Sequence, residues 1–475
     1  MHQKPWLIGC FIVVAAWLAQ ANASTLDDPF HSAELHVQGS GYSQNDRLQS
    51  DCLQLIHGPM TLVDVVNKAL CNNPQTRLAW ANVRAQAALI GVAQSAYLPT
   101  LSFNAGKNQP FGDNSVPASS QTSSSLSAGF LLYDFGTRAA NLENARQMMS
   151  AMANAQDSAL QTVFLAAVQA YYQWHAVNSS VVAAREAERA SAESLRAAQT
   201  RYRIGTGTPS DRLQAQTALS QAILSRIQAE GNAQSALAGV ANVMGIDAQD
   251  APALADSPLS IPSQEFENDL NALITQAKQD RSDLLAAQAQ VKAAQAAVEI
   301  AQSSGMPSLF MNANNNYQNI NSTVVTRSYS VGLTLTVPIF TGFNTTYRIR
   351  NAQALLDAKS AQLEQVSRQV SLDVWKNYYA LRTAIDSVHA ANDLQASAEE
   401  SEKVALGRYK AGAGGILDLL NAQTALVNAR QQFIQSLYNW QVAKAALAQS
   451  IGRLGYEQIT ESAAASASIK KANLQ

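Results

Sequence analysis

Two acidic side chains recur at corresponding places in this chain of 475 residues. Asp211 and Asp418 lie 418 − 211 = 207 positions apart, and each follows a glycine-rich turn. A carboxylate there can cap the helix that follows, because it accepts hydrogen bonds from free backbone N–H groups. If several copies of the chain surround one opening, the same carboxylate becomes a ring of charges that selects cations or resists closure. The two roles are compatible.

The other reactive side chains form no catalytic or metal-binding pattern. The six histidines lie in unrelated sequence contexts, and none accompanies the cysteines at zinc-ligand spacing. Gly205-Thr206-Gly207 has neither the strand-to-helix setting nor the following lysine of a nucleotide site. We therefore expect no enzyme activity, no cofactor and no metal site.

The N-terminus indicates export. Residues 1–23 have a charged start at Lys4, an apolar run over 7–19 and the small-x-small cleavage signal Ala21-Asn22-Ala23. This pattern predicts a signal peptide. A lipoprotein box ending at Cys10 is the weaker alternative, since almost no apolar stretch precedes that cysteine.

Two cysteines remain in the exported chain, Cys52 and Cys71. An even pair in an oxidising compartment predicts a disulfide between them, and two unpaired buried thiols are the alternative.

Low charge distinguishes the composition. Lys plus Arg is 33 and Asp plus Glu is 35, so the net charge is −2, and charged residues make up only 14%. This balance excludes a globally basic nucleic-acid binder. Beyond the signal there is no apolar run of the length that a membrane-spanning helix needs.

The chain is internally duplicated. Short motifs recur at the same offset of 207 positions, which indicates two homologous halves, a first repeat over 60–245 and a second over 266–455. A proline-containing linker, 246–265, joins them, and 24–59 and 456–475 form an N-terminal segment and a flexible tail. The matched pairs are Tyr171-Tyr172 with Tyr378-Tyr379, Ala215–Leu219 with Ala422–Leu426, Arg201–Gly205 with Arg408–Gly412, and Gly245 with Gly452.

Each half predicts the same order of elements. A helix of moderate length, about 61–97 or 268–305, precedes a pair of strands. A proline-free helix of about 66 residues follows, about 138–203 or 345–410, which would be about 100 Å long. A glycine-rich turn and a further helix end the repeat. Small apolar residues recur in the long helices at heptad-like spacing, which predicts coiled-coil-like packing; in the second half they are Val370, Val374, Leu381, Ala384 and Val388.

Four short segments alternate apolar residues with small or hydroxyl residues. The clearest runs from Ser328 to Val337, and weaker cases lie in 100–105, 126–132 and 309–313. Segments of this length and pattern predict membrane strands, arranged as hairpins over 99–133 and 307–338 with polar loops at about 107–122 and 317–327. Four strands cannot close a barrel, so several copies of the chain must contribute to one. The copy number does not follow from the strand count.

In its repeated plan and its motifs the chain resembles the TolC-type outer-membrane channel proteins, which serve type I secretion and multidrug efflux. The resemblance covers nearly the whole mature chain. Cys52, Cys71 and the alanine-rich stretch 79–96 are most similar to the branch that exports adenylate-cyclase or haemolysin-type toxins. The motifs that carry the resemblance are Asn73-Pro74, Tyr97-Leu98-Pro99, Leu132-Tyr133-Asp134-Phe135-Gly136, Val337-Pro338-Ile339-Phe340-Thr341-Gly342 and the two Arg-Tyr-x-x-Gly turns.

The resemblance implies a mainly α fold with a smaller β part. Three chains would build a 12-stranded membrane β-barrel and an α-barrel of long helical hairpins. It places the protein in the outer membrane of a Gram-negative bacterium, with the helices in the periplasm. Implied partners are two further copies of the chain, outer-membrane lipid, a periplasmic adaptor, and an inner-membrane ABC or proton-driven pump. The alternative from another class is a periplasmic helical-hairpin adaptor protein.

The resemblance also implies a gate at the helical turns. A tyrosine of one hairpin would bond an aspartate of the other, which assigns Tyr409 and Asp211. Asn421 stands where the family has a second aperture aspartate, and Gly414 stands where it has a locking arginine. Both departures predict a looser latch, with Asp418 as the charged ring. The expected adaptor-docking residues are Gly205, Thr206, Gly207, Gly412, Ala413 and Gly414.

Overall fold

The computed structural model describes residues 28–32, 58–109, 120–255, 261–262, 269–320 and 324–454. The expected signal peptide with Cys10, the cysteine Cys52 and the tail 456–475 lie outside the described residues. So do parts of the expected linker and of the loops between the strands.

Within the described residues the chain forms eight α-helices and four β-strands. No helix among them is both long and apolar enough to cross a membrane. The helices are α1 Leu62–Asn72, α2 Pro74–Ser95, α3 Thr137–Arg203, α4 Pro209–Val243, α5 Leu270–Asp280, α6 Ser282–Ser303, α7 Asn344–Lys410 and α8 Ile416–Ser450. The strands are β1 Thr100–Asn108, β2 Gln121–Tyr133, β3 Ser308–Ile320 and β4 Val324–Thr336.

The two long helices correspond residue by residue. Adding 207 to the bounds of α3 gives those of α7 (137 + 207 = 344 and 203 + 207 = 410). The same offset relates α4 to α8 (209 + 207 = 416 and 243 + 207 = 450). The first helical hairpin, α3–α4, and the second helical hairpin, α7–α8, are therefore equivalent pieces of structure.

The single helix expected before each pair of strands is wrong, since it is two helices in both halves. In the first half the break lies at Asn73, because Pro74 has no N–H for the helical ladder. The side chain of Asn73 instead donates to the carbonyl of Val243 at 2.9 Å.

In the second half the break lies at Arg281, whose extended backbone (ψ 120°) ends α5. Its guanidinium pairs with Asp283 at 2.6 Å and with Asp373 of α7 at 2.9 Å. No proline is needed, because these two ion pairs hold the chain in its new direction.

A glycine packs closely against each of these breaks. Gly245 has φ +70°, and a Cβ there would lie 2.6 Å from the carbonyl oxygen of Asn72. Gly452 has φ +78°, and a Cβ there would lie 2.9 Å from the carbonyl oxygen of Asp280. Both positions require glycine for its backbone conformation and for the close approach.

The chain divides into two compact units. The first contains residues 81–155 and 285–365, and its centre is a four-stranded antiparallel sheet in the order β1-β2-β3-β4. The strands of the two halves join where β2 pairs with β3, from Gln121 opposite Ile320 onward. β1 and β4 are the sheet edges, and every residue of β4 is exposed in the single chain.

The strands are longer than expected, and the predicted loop at about 317–327 is wrong. β3 continues to Ile320 and β4 begins at Val324. The polar run Asn312–Asn319 is paired along its length with β4. Backbone hydrogen bonding does not depend on side-chain polarity, so polar strands extend as far as the ladder continues.

The second unit contains the described residues within 58–80, 156–284 and 366–454, and its main elements are the long helices and their turns. The heptad positions expected in α7 are buried here. Val370, Val374 and Val388 have no exposed surface, and Leu381 packs with Leu437 and Trp440 of α8. The apolar seam predicted from spacing is therefore confirmed in this helix.

Candidate functional site: the hairpin tips

Both hairpins end in the same kind of turn. In the first, the N–H of Gly205 donates to the carbonyl of Tyr202 at 3.1 Å and that of Thr206 to Arg201 at 2.9 Å. In the second, Gly412 and Ala413 repeat these bonds. This is the Schellman arrangement, and it needs a residue with positive φ, which Gly205 (+83°) and Gly412 (+79°) supply.

The remaining glycines of the turns let the chain pass close to the helix it leaves. A Cβ at Gly207 would lie 3.0 Å from the backbone nitrogen of Tyr202 and 3.1 Å from the Cβ of Arg201. A Cβ at Gly414 would lie 3.2 Å from the Cβ of Arg408. The residues expected to form a docking surface thus have a structural role in shaping the turns.

Asp211 and Asp418 do take part in capping, but not as the N-cap residue itself. The N-cap of α4 is Thr208, whose hydroxyl accepts from the N–H of Asp211 at 3.1 Å, while the Asp211 carboxylate accepts from the N–H of Thr208 at 3.2 Å. In α8 the N-cap is Gly415, whose N–H donates to Asp418 at 3.4 Å. Each aspartate is the third residue of its helix, which is the acidic position of a capping box.

Asp418 and Asn421 are both exposed in the single chain, whereas Asp211 is half-buried. The Asp418 carboxylate is held by one long hydrogen bond from a glycine that has no side chain to reinforce it. Its second oxygen accepts no hydrogen bond from the described residues.

Tyr409 is the most enclosed of the predicted gate residues, at 1% exposed. It packs with Leu195, Ala215, Ile416 and Leu419 from both hairpins. Its hydroxyl has no hydrogen-bond partner within the described part of the chain. The expected hydrogen bond between Tyr409 and Asp211 is therefore not formed in this conformation, in which the Asp211 carboxylate accepts from the N–H of Thr208.

The two residues nevertheless interact electrostatically. Burial raises the pKa of the Tyr409 hydroxyl, the charge of Arg201 lowers it, and the charge of Asp211 raises it. Tyr409 thus stays neutral and presents its ring as an apolar surface.

Arg201 is a tip residue whose role the sequence analysis missed. Its Nη1 donates to the carbonyl of Tyr409 at 3.0 Å and its Nη2 to the carbonyl of Thr206 at 3.4 Å. The guanidinium also lies over the ring of Tyr409, 4.8 Å from its centroid. The Arg-Tyr-x-x-Gly motif contained the signal, but it does not tell which of two equivalent arginines makes the contact.

Two further polar contacts join the hairpins near their tips. Lys410 pairs with Glu193 at 2.5 Å, and its hydrogen bond is the main cause of the lowered pKa of Glu193. Further from the turns, the buried amide of Gln423 donates to Ser194 at 3.0 Å and to Glu402 at 3.3 Å.

The predicted disulfide stays a prediction. Cys71 lies in α1, but Cys52 is outside the described residues. Across the described ranges, no group of histidine, cysteine and carboxylate side chains could hold a metal ion.

The chain shares sequence and fold with known proteins. The family profile described as outer membrane efflux protein matches residues 65–246 and 273–453. The chain is similar to Protein CyaE of Bordetella pertussis, with 30% identity over 410 residues, covering 84% of this chain and 85% of the relative. It is also similar to outer membrane protein TolC of Vibrio cholerae, with 24% identity over 407 residues, covering 84% of this chain and 92% of the relative.

The fold is similar to that of the Campylobacter jejuni CmeC outer membrane channel. The TM-score is 0.74 at 18% identity, over 84% of this chain and 89% of that chain.

Proposed function

Because the chain belongs to the outer membrane efflux protein family, we propose that it is the trimeric exit channel of a type I secretion system. The protein is an outer-membrane efflux or secretion channel, with its helical part in the periplasm, and it is not an enzyme. The family match does not favour the alternative of a periplasmic adaptor.

The two unpaired edges of the sheet are the main support for an oligomer. β1 and β4 are the edges of the protomer's sheet, and β4 exposes alternating large apolar side chains such as Tyr329 (74%) and Val331 (79%). An open sheet edge in lipid leaves backbone groups without hydrogen-bond partners. Pairing β4 of one copy with β1 of the next satisfies both edges. Three copies of four strands give the 12 strands of the family's barrel.

At the tips we assign the charged ring to Asp418. It is exposed in the protomer, it is weakly held, and three copies would place three carboxylates around one axis. Such a ring attracts cations and resists closure by mutual repulsion. Asn421, one turn further along α8, would add polar groups without charge.

The glycine turns are the proposed docking surface for a periplasmic adaptor, which links the channel to an inner-membrane pump. Gly205, Thr206, Gly412 and Ala413 are exposed at the ends of the hairpins. Their backbone is fixed by the Schellman bonds, so the partner would meet a preformed surface. The pump supplies the energy, and the channel conducts passively.

A protein cargo is proposed over a small molecule, because Cys52, Cys71 and the alanine-rich stretch 79–96 resemble the branch of the family that exports adenylate-cyclase or haemolysin-type toxins. A deletion strain tests this. We expect it to lose one or more secreted proteins while its drug susceptibility stays unchanged. Increased drug susceptibility with normal protein secretion would assign the chain to drug efflux instead.

The channel itself is tested with purified protein. We expect detergent extraction from outer membranes as a closed oligomer of about 150 kDa, three times the 50.8 kDa of the chain. In planar lipid bilayers Asp418→Ala should reduce the preference for cations, whereas Asp250→Ala, which lies outside the hairpins, should not. Cation preference that is unchanged in Asp418→Ala would contradict the assigned ring.

A further inference from the structure

Among the described residues at the tips, Arg201 is the one whose side chain donates hydrogen bonds to both hairpin turns. It is half-buried at the end of α3, donates to Thr206 in its own turn and donates to Tyr409 at the end of α7. We propose that Arg201 is the latch that holds the two hairpin tips together within a protomer and so restrains opening. This inference rests on the proposed channel function and adds a residue that controls it.

The latch acts on the ring of Tyr409 and not on its hydroxyl. The guanidinium lies 4.8 Å from the ring centroid, whereas the hydroxyl has no partner among the described residues. A guanidinium over an aromatic face is attracted by the negative charge of that face, and more strongly when water is excluded. Tyr409 is 1% exposed, so water is excluded here.

The hydrogen bonds from Arg201 to the carbonyls of Tyr409 and Thr206 fix the orientation of the guanidinium. A charged donor makes a stronger hydrogen bond than a neutral one, and the planar guanidinium can serve two carbonyls while it stacks on a ring. Separating the tips would break the bond to Tyr409 and expose its ring. A lysine could not replace this geometry, since its ammonium has no planar fork.

The latch compensates for a missing locking arginine and for an aspartate that is already engaged elsewhere. The Asp211 carboxylate is engaged in capping α4, and Gly414 has no side chain with which to lock the tip. Lys410, beside Tyr409, pairs with Glu193 as a second tie between the hairpins, but that pair is exposed and therefore weak. Of the charged side chains, Arg201 is thus the principal tie at the tip.

The equivalent arginine of the second half is not used in this way. Arg408 makes no ion pair or hydrogen bond by its side chain within the described residues. Its expected counterpart Tyr202 is 42% exposed and lies under Arg212 of its own hairpin, 5.1 Å from the ring centroid. The contact is therefore specific to Arg201 and Tyr409 and does not follow from the repeated motif.

The test records single-channel openings of six full-length variants in planar lipid bilayers. We expect Arg201→Ala to increase the fraction of time spent open by about tenfold relative to the wild type, because it removes the stacking and both backbone bonds. Tyr409→Phe should behave as the wild type, since the hydroxyl is unused. Arg203→Ala is the matched control, because it removes an exposed arginine of the same helical turn.

The fourth variant, Tyr409→Leu, reaches the same contact from the other side. It keeps apolar volume but removes the aromatic face, so it should open the channel as Arg201→Ala does. The double variant should open it no further. Arg201→Lys should recover only part of the closed state.

Three results would overturn the latch. The first is wild-type conductance in Arg201→Ala, and the second is equal opening in Arg203→Ala. The third is opening in Tyr409→Phe, which would show that the hydroxyl holds the tip. If Arg201→Ala does not assemble, Tyr409→Leu decides alone, and its behaving as the wild type would overturn the latch. A wild-type protein that forms no channel at all would instead contradict the proposed function.

Discussion

The two helical hairpins have equivalent helices, but one pair of equivalent positions in α4 and α8 uses different chemistry to join the helices of each hairpin. In the first, Arg226 of α4 pairs with Glu188 of α3 at 2.6 Å and with Glu230 at 2.8 Å. In the second, the equivalent positions 433 (226 + 207) and 437 (230 + 207) are Phe433 and Leu437. These pack into an apolar cluster with Val388 and Trp440.

The difference shows what the fold requires at these positions. Two long antiparallel helices need side chains that meet across the seam, and either ion pairs or apolar contacts satisfy that need. The energies differ, because exposed ion pairs are weak and screened by salt, whereas buried apolar surface is neither. The second hairpin should therefore be the more robust of the two.

The largest expected effect tests that robustness. Leu437→Ala should lower the free energy of unfolding by about 3 kcal/mol, since it leaves a cavity in a packed cluster. The matched control is Glu230→Ala at the equivalent position of the first hairpin, which should have little effect. Thermal unfolding of the detergent-solubilised protein, followed by its helical circular dichroism, measures both. Equal losses in the two variants would contradict the comparison.

The next effect concerns the glycines that pack against the helix breaks in each half. Gly245→Ala should destabilise the protein by about 2 kcal/mol, because its φ is +70° and the new Cβ would lie 2.6 Å from a carbonyl oxygen. Gly239→Ala is the control, since it lies in α4 with open space around it, and it should be neutral or slightly stabilising. Urea unfolding of both variants checks this. Unchanged stability in Gly245→Ala would mean that the backbone can move away from the carbonyl oxygen of Asn72.

A carboxyl in α3 with a buried oxygen makes the stability of the protein depend on pH. Burial raises the pKa of Asp157 from 3.8 to about 6, and its Oδ1 has no partner among the described residues. Between pH 3.8 and about 6 this carboxyl is protonated in the folded chain and ionised in the unfolded chain. The free energy of unfolding therefore falls as the pH rises from 3.8 to about 6. Asp157→Asn should raise the melting temperature at neutral pH but leave it unchanged below pH 3.8. A parallel shift at both pH values would contradict this origin.

The smallest effect concerns the ion pairs of the first hairpin. The hydrogen bond from Arg185, followed by that from Arg226, lowers the pKa of Glu230 from 4.5, so its contribution is present above that pH and is lost as the pH falls through the lowered value. High salt should screen the same contacts. Hydrogen exchange should then increase in α4 at high salt while α8 stays protected. Equal increases in both helices would mean that salt acts on the whole protein.

Much of the fold could be predicted because it rests on local rules. Proline-free helices, glycine turns and alternating strands are visible in the sequence, and a constant offset aligned the two halves. The helix breaks were harder. Pro74 was a visible signal, whereas Arg281 ends α5 through an ion pair with Asp373, 92 positions away in the sequence. A contact of that separation has no local signature.

The candidate site shows the same division. The sequence by itself determined the positions of both tips, because glycines with positive φ and acidic residues at the third helical position are local requirements of a turn between two helices. The repeated motif alone does not distinguish Tyr202 from Tyr409, since both stand in it, and the choice of Tyr409 came from the family resemblance. Only the tertiary structure decided that Tyr409 is buried beneath Arg201 while Tyr202 stays exposed. Burial depends on which helices pack around a residue, and identical motifs carry no information about that.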